Sequence, residues 1–284
     1  MKLAIYGSRH QEPYIDRISA FFDLLARRGD EAVVHSKLYT YLKYLIPRSL
    51  GCVRRVTDSP DFTADYAVCI GGDGSFLRTA AWVADKEIPI IGVNTGHLGY
   101  LASLPIDEIE KLPGILAGGD LHIEPRSLIQ VDCKAVTGWP YALNEVAITK
   151  AEGASIIDVN AVIDGCPLAD YRADGLLIAT PTGSTAYNLS VGGPIVQPSA
   201  PVFVLSPVAA HSLSMRPLVV DDSSELVFTC ESRSSGYRIA IDGRSYHVPL
   251  EYAVRLGRAP FVVKVVRCDG TNFAQTLRNK LSWG

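Results

Sequence analysis

Along the first third of the chain, short and fully apolar runs alternate with stretches whose apolar residues recur at helical spacing. The run "KLAIYG" has the continuous hydrophobicity of a strand buried on both faces. Between Tyr14 and Arg28, the residues Ile15, Ile18, Phe22 and Leu25 fall on one helical face, and Gly29 supplies the stop. "EAVVHS", "ADYAVCIGG" and "IPIIGVNTG" predict three further strands, with an Ala-rich helix from Gly74 to Asp85 between the last two. Apolar strands alternating with helices predict an α/β domain over 1–104, built on a doubly wound, mostly parallel sheet covered on both faces.

After Leu104 the pattern changes. One acidic helix is predicted over Ile106 to Leu116. Strand-like segments bounded by turn residues follow, among them "SLIQVDCKA", "YALNEVAITK", "SIIDVNAVIDG", "DGLLIATPTG", "ELVFTC", "YRIAIDG" and "FVVKVVRC". The pairs Asp164-Gly165 and Asp242-Gly243 have the chemistry of two-residue hairpin turns. Helical signal is confined to Ser184–Ser190. The expectation is a mainly antiparallel, sandwich-like domain over 105–265. The closing "NFAQTLRNKLSWG" regains helical spacing, so the segment 266–284 is expected to pack back on the first domain. No internal repeat interrupts this plan.

Composition narrows the class of protein. At 48% hydrophobic and 20% charged, the chain has ample material for packed cores and is not of a disordered type. A net charge of −3 with no Lys/Arg block argues against a nucleic-acid partner. The six cysteines never form CxxC, and several sit inside apolar runs such as "YAVCI" and "LVFTC". They read as buried free thiols of a reducing compartment. The histidines show no metal-binding spacing. No apolar run is long enough to span a bilayer, and "MKLAIYGSRH" reads as a first strand rather than a signal peptide. A cytoplasmic protein without a membrane partner is expected.

Candidate chemistry begins at "CIGGDGSFLRTA", where an apolar strand runs through Gly71, Gly72, Asp73 and Gly74 into a helix. No Gly-Lys pair exists, so this is not a Walker A loop, and Leu77 occupies the third position of a would-be GxGxxG. Glycines here let a ligand approach the backbone, and the helix start favours phosphate. Arg78, one turn further on, adds a positive charge. Asp73 reads either as the N-cap of a tight turn or as acceptor for a hydroxyl or partner of a divalent cation. Three further segments keep it company. "GVNTGHLGYLAS" follows the next strand and, in a doubly wound sheet, opens on the same crevice. In "LNEVAITK", Asn144 and Glu145 interrupt an apolar strand with groups suited to a purine edge and to ribose hydroxyls. "YRADGLLIATPTGSTAYNLSVGGPIVQPS" gathers Thr182, Ser184 and Thr185 with Tyr187 around one turn, which suits a nucleoside pocket with ring stacking.

Taken in order, GGDG, the NE pair, "DGLLIATPTGSTAYNLSVGGPI" and "HSLSMRPLV" resemble the NAD kinase family from Met1 to Gly284. The GGDG loop alone is shared with phosphofructokinases and diacylglycerol-type lipid kinases, whereas TPTGSTAY is specific. The resemblance implies transfer of the terminal phosphoryl group of ATP, or of inorganic polyphosphate, to the 2′-hydroxyl of the adenosine ribose of NAD. It implies Asp73 as proton acceptor for that hydroxyl, with Gly72 and Gly74 close to phosphates. Asn144 and Glu145 would contact the ribose and adenine region of NAD. Arg172 and Asp174 would lie near the nicotinamide end, across a subunit interface. Thr185, Ala186, Tyr187, Asn188, Leu189 and Ser190 would line the adenine pocket, and Ala209 matches a further NAD contact. A divalent ion such as Mg²⁺ would be carried mainly on substrate phosphates, without a dedicated metal site, and the protein would be a homodimer or homotetramer. The chain departs from the family at Arg244, where Gln is frequent, and at Ser155, which is His in some members. Two other readings fit parts of the sequence: a lipid or sugar kinase sharing the GGDG loop, and a non-catalytic NAD(P)-binding sensor.

Overall fold

The computed structural model describes residues 1–9, 11–96, 99–119, 121–151, 156–267 and 272–282, so Ser155 and Cys268 lie outside the described residues. The chain forms two compact units, Met1–Pro125 together with the segment from Val263 onward, and Arg126–Val262. The first unit runs β1 (Lys2–Gly7), α1 (Ile15–Arg28), β2 (Glu31–Val34), α2 (Ser36–Leu45), β3 (Val53–Val56), β4 (Tyr66–Ile70), α3 (Asp73–Val83), β5 (Ile90–Asn94), β6 (Ala102–Pro105), α4 (Leu112–Gly118) and β7 (His122–Arg126). The second contains β8 (Ile129–Asp132), β9 (Tyr141–Ala142), β10 (Glu145–Lys150), β11 (Ile157–Ile163), β12 (Cys166–Ala173) and β13 (Gly175–Ala179). It continues through α5 (Tyr187–Ser190), β14 (Val202–Val208), β15 (Leu218–Asp221), β16 (Leu226–Glu231), β17 (Gly236–Ile241), β18 (Arg244–Pro249) and β19 (Val254–Arg258). The chain then returns to the first unit as β20 (Val263–Arg267) and α6 (Phe273–Leu281).

The sheet of the first unit has the order β3-β2-β1-β4-β5-β20-β7, with β6 also paired to β5. Every pairing among β1 to β6 is parallel, as is β5 with β20. Alternation along β1 explains its two covers. Leu3 and Ile5 join Ile18, Phe22 and Leu25 of α1 in one buried cluster, whereas Tyr6 meets Trp82 of α3 with ring centroids 6.3 Å apart. Gly29 ends α1 with φ 73°, as the periodicity predicts.

Three features differ from the sequence reading. "FVVKVVRC" does not join the antiparallel sheets: Val263 and Val265 are buried, and the strand pairs in parallel with β5. A run this apolar suits a strand covered on both faces. The acidic segment forms a 3-10 turn over Ile106–Lys111 and then α4, because Pro113 is tolerated only at a helix start. Its residues Ile106, Ile109, Leu112 and Leu116 pack with α1, so the first unit continues well past 104. Finally α2 and β3 add elements that the strand-helix alternation did not predict.

The second unit consists of two six-stranded antiparallel sheets, β15-β14-β13-β10-β17-β18 and β12-β11-β16-β19-β8-β9. Ile148, Ile178 and Phe203 from one sheet and Val159, Phe228 and Leu256 from the other share one buried core, which makes the unit a sandwich. Asp164-Gly165 and Asp242-Gly243 do form hairpin turns, all four residues having positive φ, as type I′ turns require. The five cysteines among the described residues are free. No helix among those residues is long and apolar enough to cross a membrane.

Candidate active site

In the first unit, the GGDG loop lies where β4 and β5 end, the edge at which doubly wound sheets bind ligands. The Gly71 N–H donates to Val93 O at 2.9 Å, and the carbonyl of Gly72 accepts from Ser75 and Phe76 to open α3. Around Gly72 and Gly74 no atom lies within 4 Å of the place a Cβ would take. The amides of Asp73 and Gly74, which open α3, have no acceptor within the helix, so the open space lies at donors and at the positive end of the helix dipole. Arg78 stays close to the loop, Nη2 donating to Ser75 Oγ at 3.4 Å.

Asp73 is not the N-cap; that position belongs to Gly72. The carboxylate instead reaches the chain entering β6. Oδ2 accepts from the Tyr100 N–H at 2.8 Å, and Oδ1 accepts from Leu101 and Ala102, each at 3.1 Å. Gly99 permits this approach, because a Cβ there would stand 2.0 Å from Oδ1. A carboxylate offers about four lone-pair directions. Two amides fill Oδ1, while Oδ2 keeps one direction for another donor.

In the second unit, "YALNEVAITK" breaks between β9 and β10, and a second aspartate explains the break. Asp242 Oδ2 accepts from the Leu143 N–H at 2.8 Å, and Oδ1 accepts from Asn144 at 2.9 Å and Glu145 at 3.1 Å. Glu145 is thereby brought beside a carboxylate. Burial first, and Asp242 second, push the Glu145 carboxyl up to about 7, and its Oε2 is buried without a hydrogen-bond partner. Burial also raises Asp242, against the three amides and Arg244, which act to lower it. The departure at Arg244 is structural: Nη2 donates to Tyr141 O at 2.7 Å and so ties β9 to the hairpin.

The TPTGSTAY segment locks onto this break. Thr180 N–H donates to Asn144 O at 2.9 Å, and its hydroxyl to Leu143 O at 2.6 Å. Gly183 is required because a Cβ would lie 2.0 Å from Asn144 O. Residues Gly183–Thr185 make a 3-10 turn, Ala186 breaks it with φ −100° and ψ −127°, and α5 follows. Tyr187 presents its ring outward at 43% exposure, and Ser190 is exposed. Thr185, Ala186 and Leu189 are half-buried. Asn188 is different: its amide donates to Ser184 O and Pro194 O, and accepts from the Ser206 hydroxyl at 2.7 Å. With no exposed surface, that side chain builds the turn and does not line a pocket.

The remaining candidates form a separate group. Asp174 pairs with Lys150 at 2.7 Å, the Asp174 N–H donates to Val208 O, and His211 N–H donates to Arg172 O. This brings Arg172 and Asp174 to the segment containing Ala209, which has φ 50°. Glu145 pairs with Ala179 and Thr149 with Gly175. The two groups therefore occupy opposite ends of the β10–β13 pair, roughly 15 Å apart at about 3.4 Å per residue.

Sequence reasoning missed Asp242, the Tyr100–Ala102 amides and Arg267, whose Nη2 donates to Tyr100 O at 3.1 Å. The Asp-Gly hairpin signal located Asp242 but said nothing of its reach. Among the described residues, no group of three or more His, Cys, Asp or Glu side chains is placed to hold a metal ion.

Comparison with known proteins matches residues 15–119 to the ATP-NAD kinase N-terminal domain and residues 143–268 to the ATP-NAD kinase C-terminal domain. The chain belongs to the NAD kinase family. An NAD kinase of Porphyromonas gingivalis is 43% identical over all of this chain and 98% of its own length. One from Bacteroides fragilis is 41% identical with the same coverage. Among solved structures, yeast NADH kinase complexed with NADH superposes with a TM-score of 0.88 at 19% identity, covering 100% of this chain and 88% of that one. An NAD kinase from Archaeoglobus fulgidus in complex with ATP gives 0.74 at 24% identity, covering 99% and 98%. At these identities the two structures speak for the fold. Within this NAD kinase family member, Gly72, Asp73, Gly74 and Arg78 fall in the N-terminal match, and Asn144 through Ala209 in the C-terminal one.

Proposed function

We propose that the chain carries out its family's reaction with Asp73 as the acceptor that aligns the 2′-hydroxyl of the adenosine ribose of NAD for attack on the terminal phosphorus of ATP. The observation that carries this reading is the carboxylate itself, fixed by three amides and left with one free direction on Oδ2, beside open space at a helix start. A carboxylate is too weak a base to strip a sugar hydroxyl in the ground state. In a loose phosphoryl-transfer transition state the proton leaves late, so orienting the hydroxyl in line is the larger contribution. Proton transfer to Oδ2 completes the step as the new O–P bond forms and the bond to ADP breaks.

The amides opening α3, with Gly72 and Gly74 beneath, receive the phosphates, and Arg78 adds charge. The donor enters as the Mg²⁺ complex of ATP, the ion riding on the phosphates, and inorganic polyphosphate presents the same groups. Asn144 and Glu145 recognise the NAD ribose and adenine. Glu145 accepts from ribose hydroxyls, which supply the donors its buried Oε2 lacks. Thr185, Ala186, Tyr187, Leu189 and Ser190 form the adenine pocket, with stacking on the exposed Tyr187 ring. Arg172, Asp174 and Ala209, at the far end of the strand pair, serve the nicotinamide end. Arg172 lies on β12, an edge strand of its sheet, which suits self-association to a homodimer or homotetramer. The free thiols support a cytoplasmic site of action.

Incubation of the purified chain with MgATP and NAD, read by NADP formation, tests the reading, with parallel reactions offering polyphosphate as donor and NADH as acceptor. NADP is the expected product. Phosphorylation of a lipid or sugar in its place, or binding of NAD without turnover, overturns it.

A further inference from the structure

The segment that fixes Asp73 is itself held by the last part of the chain. Arg267, on β20, donates Nη2–H to Tyr100 O at 3.1 Å and Nε–H to Glu124 Oε2 at 3.2 Å. Both bonds are made by a guanidinium that is only 9% exposed. Helix α6 then brings a second cation to the same residue: Lys280 Nζ stands 4.7 Å from the centroid of the Tyr100 ring. The helix is fixed there by a capping box, in which Asn272 and Gln275 exchange hydrogen bonds, and by buried Leu277. Tyr100 thus carries the Asp73 carboxylate on its N–H and the Lys280 ammonium over its ring. The two charges sense each other, since Asp73 acts to raise the Lys280 pKa against the dominant effect of burial, which lowers it. A face-on ring contact uses none of the three ammonium hydrogen-bond donors in a conventional bond.

Charge balance says what those donors are for. A triphosphate approaching Asp73 needs cations, and the chain has no Walker lysine. Arg267 is bound to Tyr100 O and Glu124, and Arg78 stands on the loop side. We propose that Lys280, reaching in from the C-terminal helix, supplies the fixed cation of the phosphoryl-transfer site, its ammonium contacting donor phosphates while its stem rests on Tyr100. This rests on the reading of the chain as an NAD kinase and adds to it a phosphate-contacting residue outside the GGDG loop.

The full-length chain carrying Lys280→Met keeps the apolar stem and loses the charge, and Lys280→Arg keeps the charge. Tripolyphosphate, titrated calorimetrically without NAD, is the probe. The Met variant is expected to bind it about tenfold more weakly, with a flatter salt dependence, and the Arg variant to stay near wild type. In turnover, the KM for ATP rises or kcat falls while the KM for NAD holds. A folded Met variant that binds tripolyphosphate as wild type does overturns the proposal, as does one whose only change is a lower melting temperature. A wild-type chain that makes no NADP overturns the functional reading instead, and the tripolyphosphate titration still judges Lys280.

Discussion

In each unit one aspartate gathers three consecutive backbone amides: Asp73 those of Tyr100, Leu101 and Ala102, and Asp242 those of Leu143, Asn144 and Glu145. The distances are nearly the same, and the surroundings are not. Asp73 opens a helix beside two glycines with free space around them. Asp242 sits in a hairpin turn, raised by burial and flanked by Glu145 and Arg244. In the first unit the amides aim the carboxylate that the proposed reaction uses to orient the attacking hydroxyl. In the second the carboxylate aims the strand break that carries Asn144 and Glu145. On the proposed reading, one local device thus serves a reacting group in one place and a recognition surface in the other.

The largest test of that contrast is Asp73→Asn. It should lower kcat by about a hundred- to ten-thousandfold while NAD affinity, measured by equilibrium binding, stays within about threefold. Unchanged turnover would show that Asp73 is an anchor like Asp242 and nothing more. Next, Asp242→Ala leaves three amides without their acceptor and should cost about 3 kcal/mol in denaturant unfolding. Because Asn144 and Glu145 are displaced with it, the KM for NAD should rise more than kcat falls. A variant with full stability would remove Asp242 from its structural role.

The smallest effect is a pH dependence at Glu145. Its folded pKa, about 7, lies above the ordinary 4.5, so the unfolded chain ionises first and stability drains away as pH rises between those values. Glu145→Gln removes the penalty. The variant should match wild type near pH 4.5 and melt roughly 2–4 °C higher at pH 8, about 1 kcal/mol for a half-buried group. It should also lose NAD affinity, since a carboxamide accepts more weakly from ribose hydroxyls. A constant offset across pH would place the carboxyl in the ordinary range.

Much of this arrangement was legible in the chain. Period-3.6 spacing located α1 and Gly29 ended it where expected, because both signals are local. The Asp-Gly pairs located both hairpins for the same reason. The GGDG loop and the TPTGSTAY turn announced themselves by composition. What escaped was long-range. Asp73 is bound by amides at positions 100–102 and Asp242 by amides at 143–145, and backbone donors carry no mark in sequence. The family resemblance placed Asn188 in the adenine pocket along with its neighbours, and a resemblance does not say which way a side chain turns. The hydrogen bonds of Asn188 to Ser184, Pro194 and Ser206 show it turned inward. The strand "FVVKVVRC" resembled its antiparallel neighbours in length, and only its pairing with β5 separates it from them.

That strand has a consequence for how the molecule is made. β7 and β20 are neighbours in one sheet, yet the whole sandwich, Arg126–Val262, is encoded between them. During synthesis β7 emerges long before its neighbour β20, whereas the strands of the sandwich all lie within one continuous stretch of chain. A nascent chain stopped before Val263 would display the GGDG loop and a finished sandwich, but with the edge of its first sheet open and no brace behind Tyr100. Translation to the last strand and helix is thus the step that closes the sheet edge and, if Lys280 acts as proposed, completes the phosphate site.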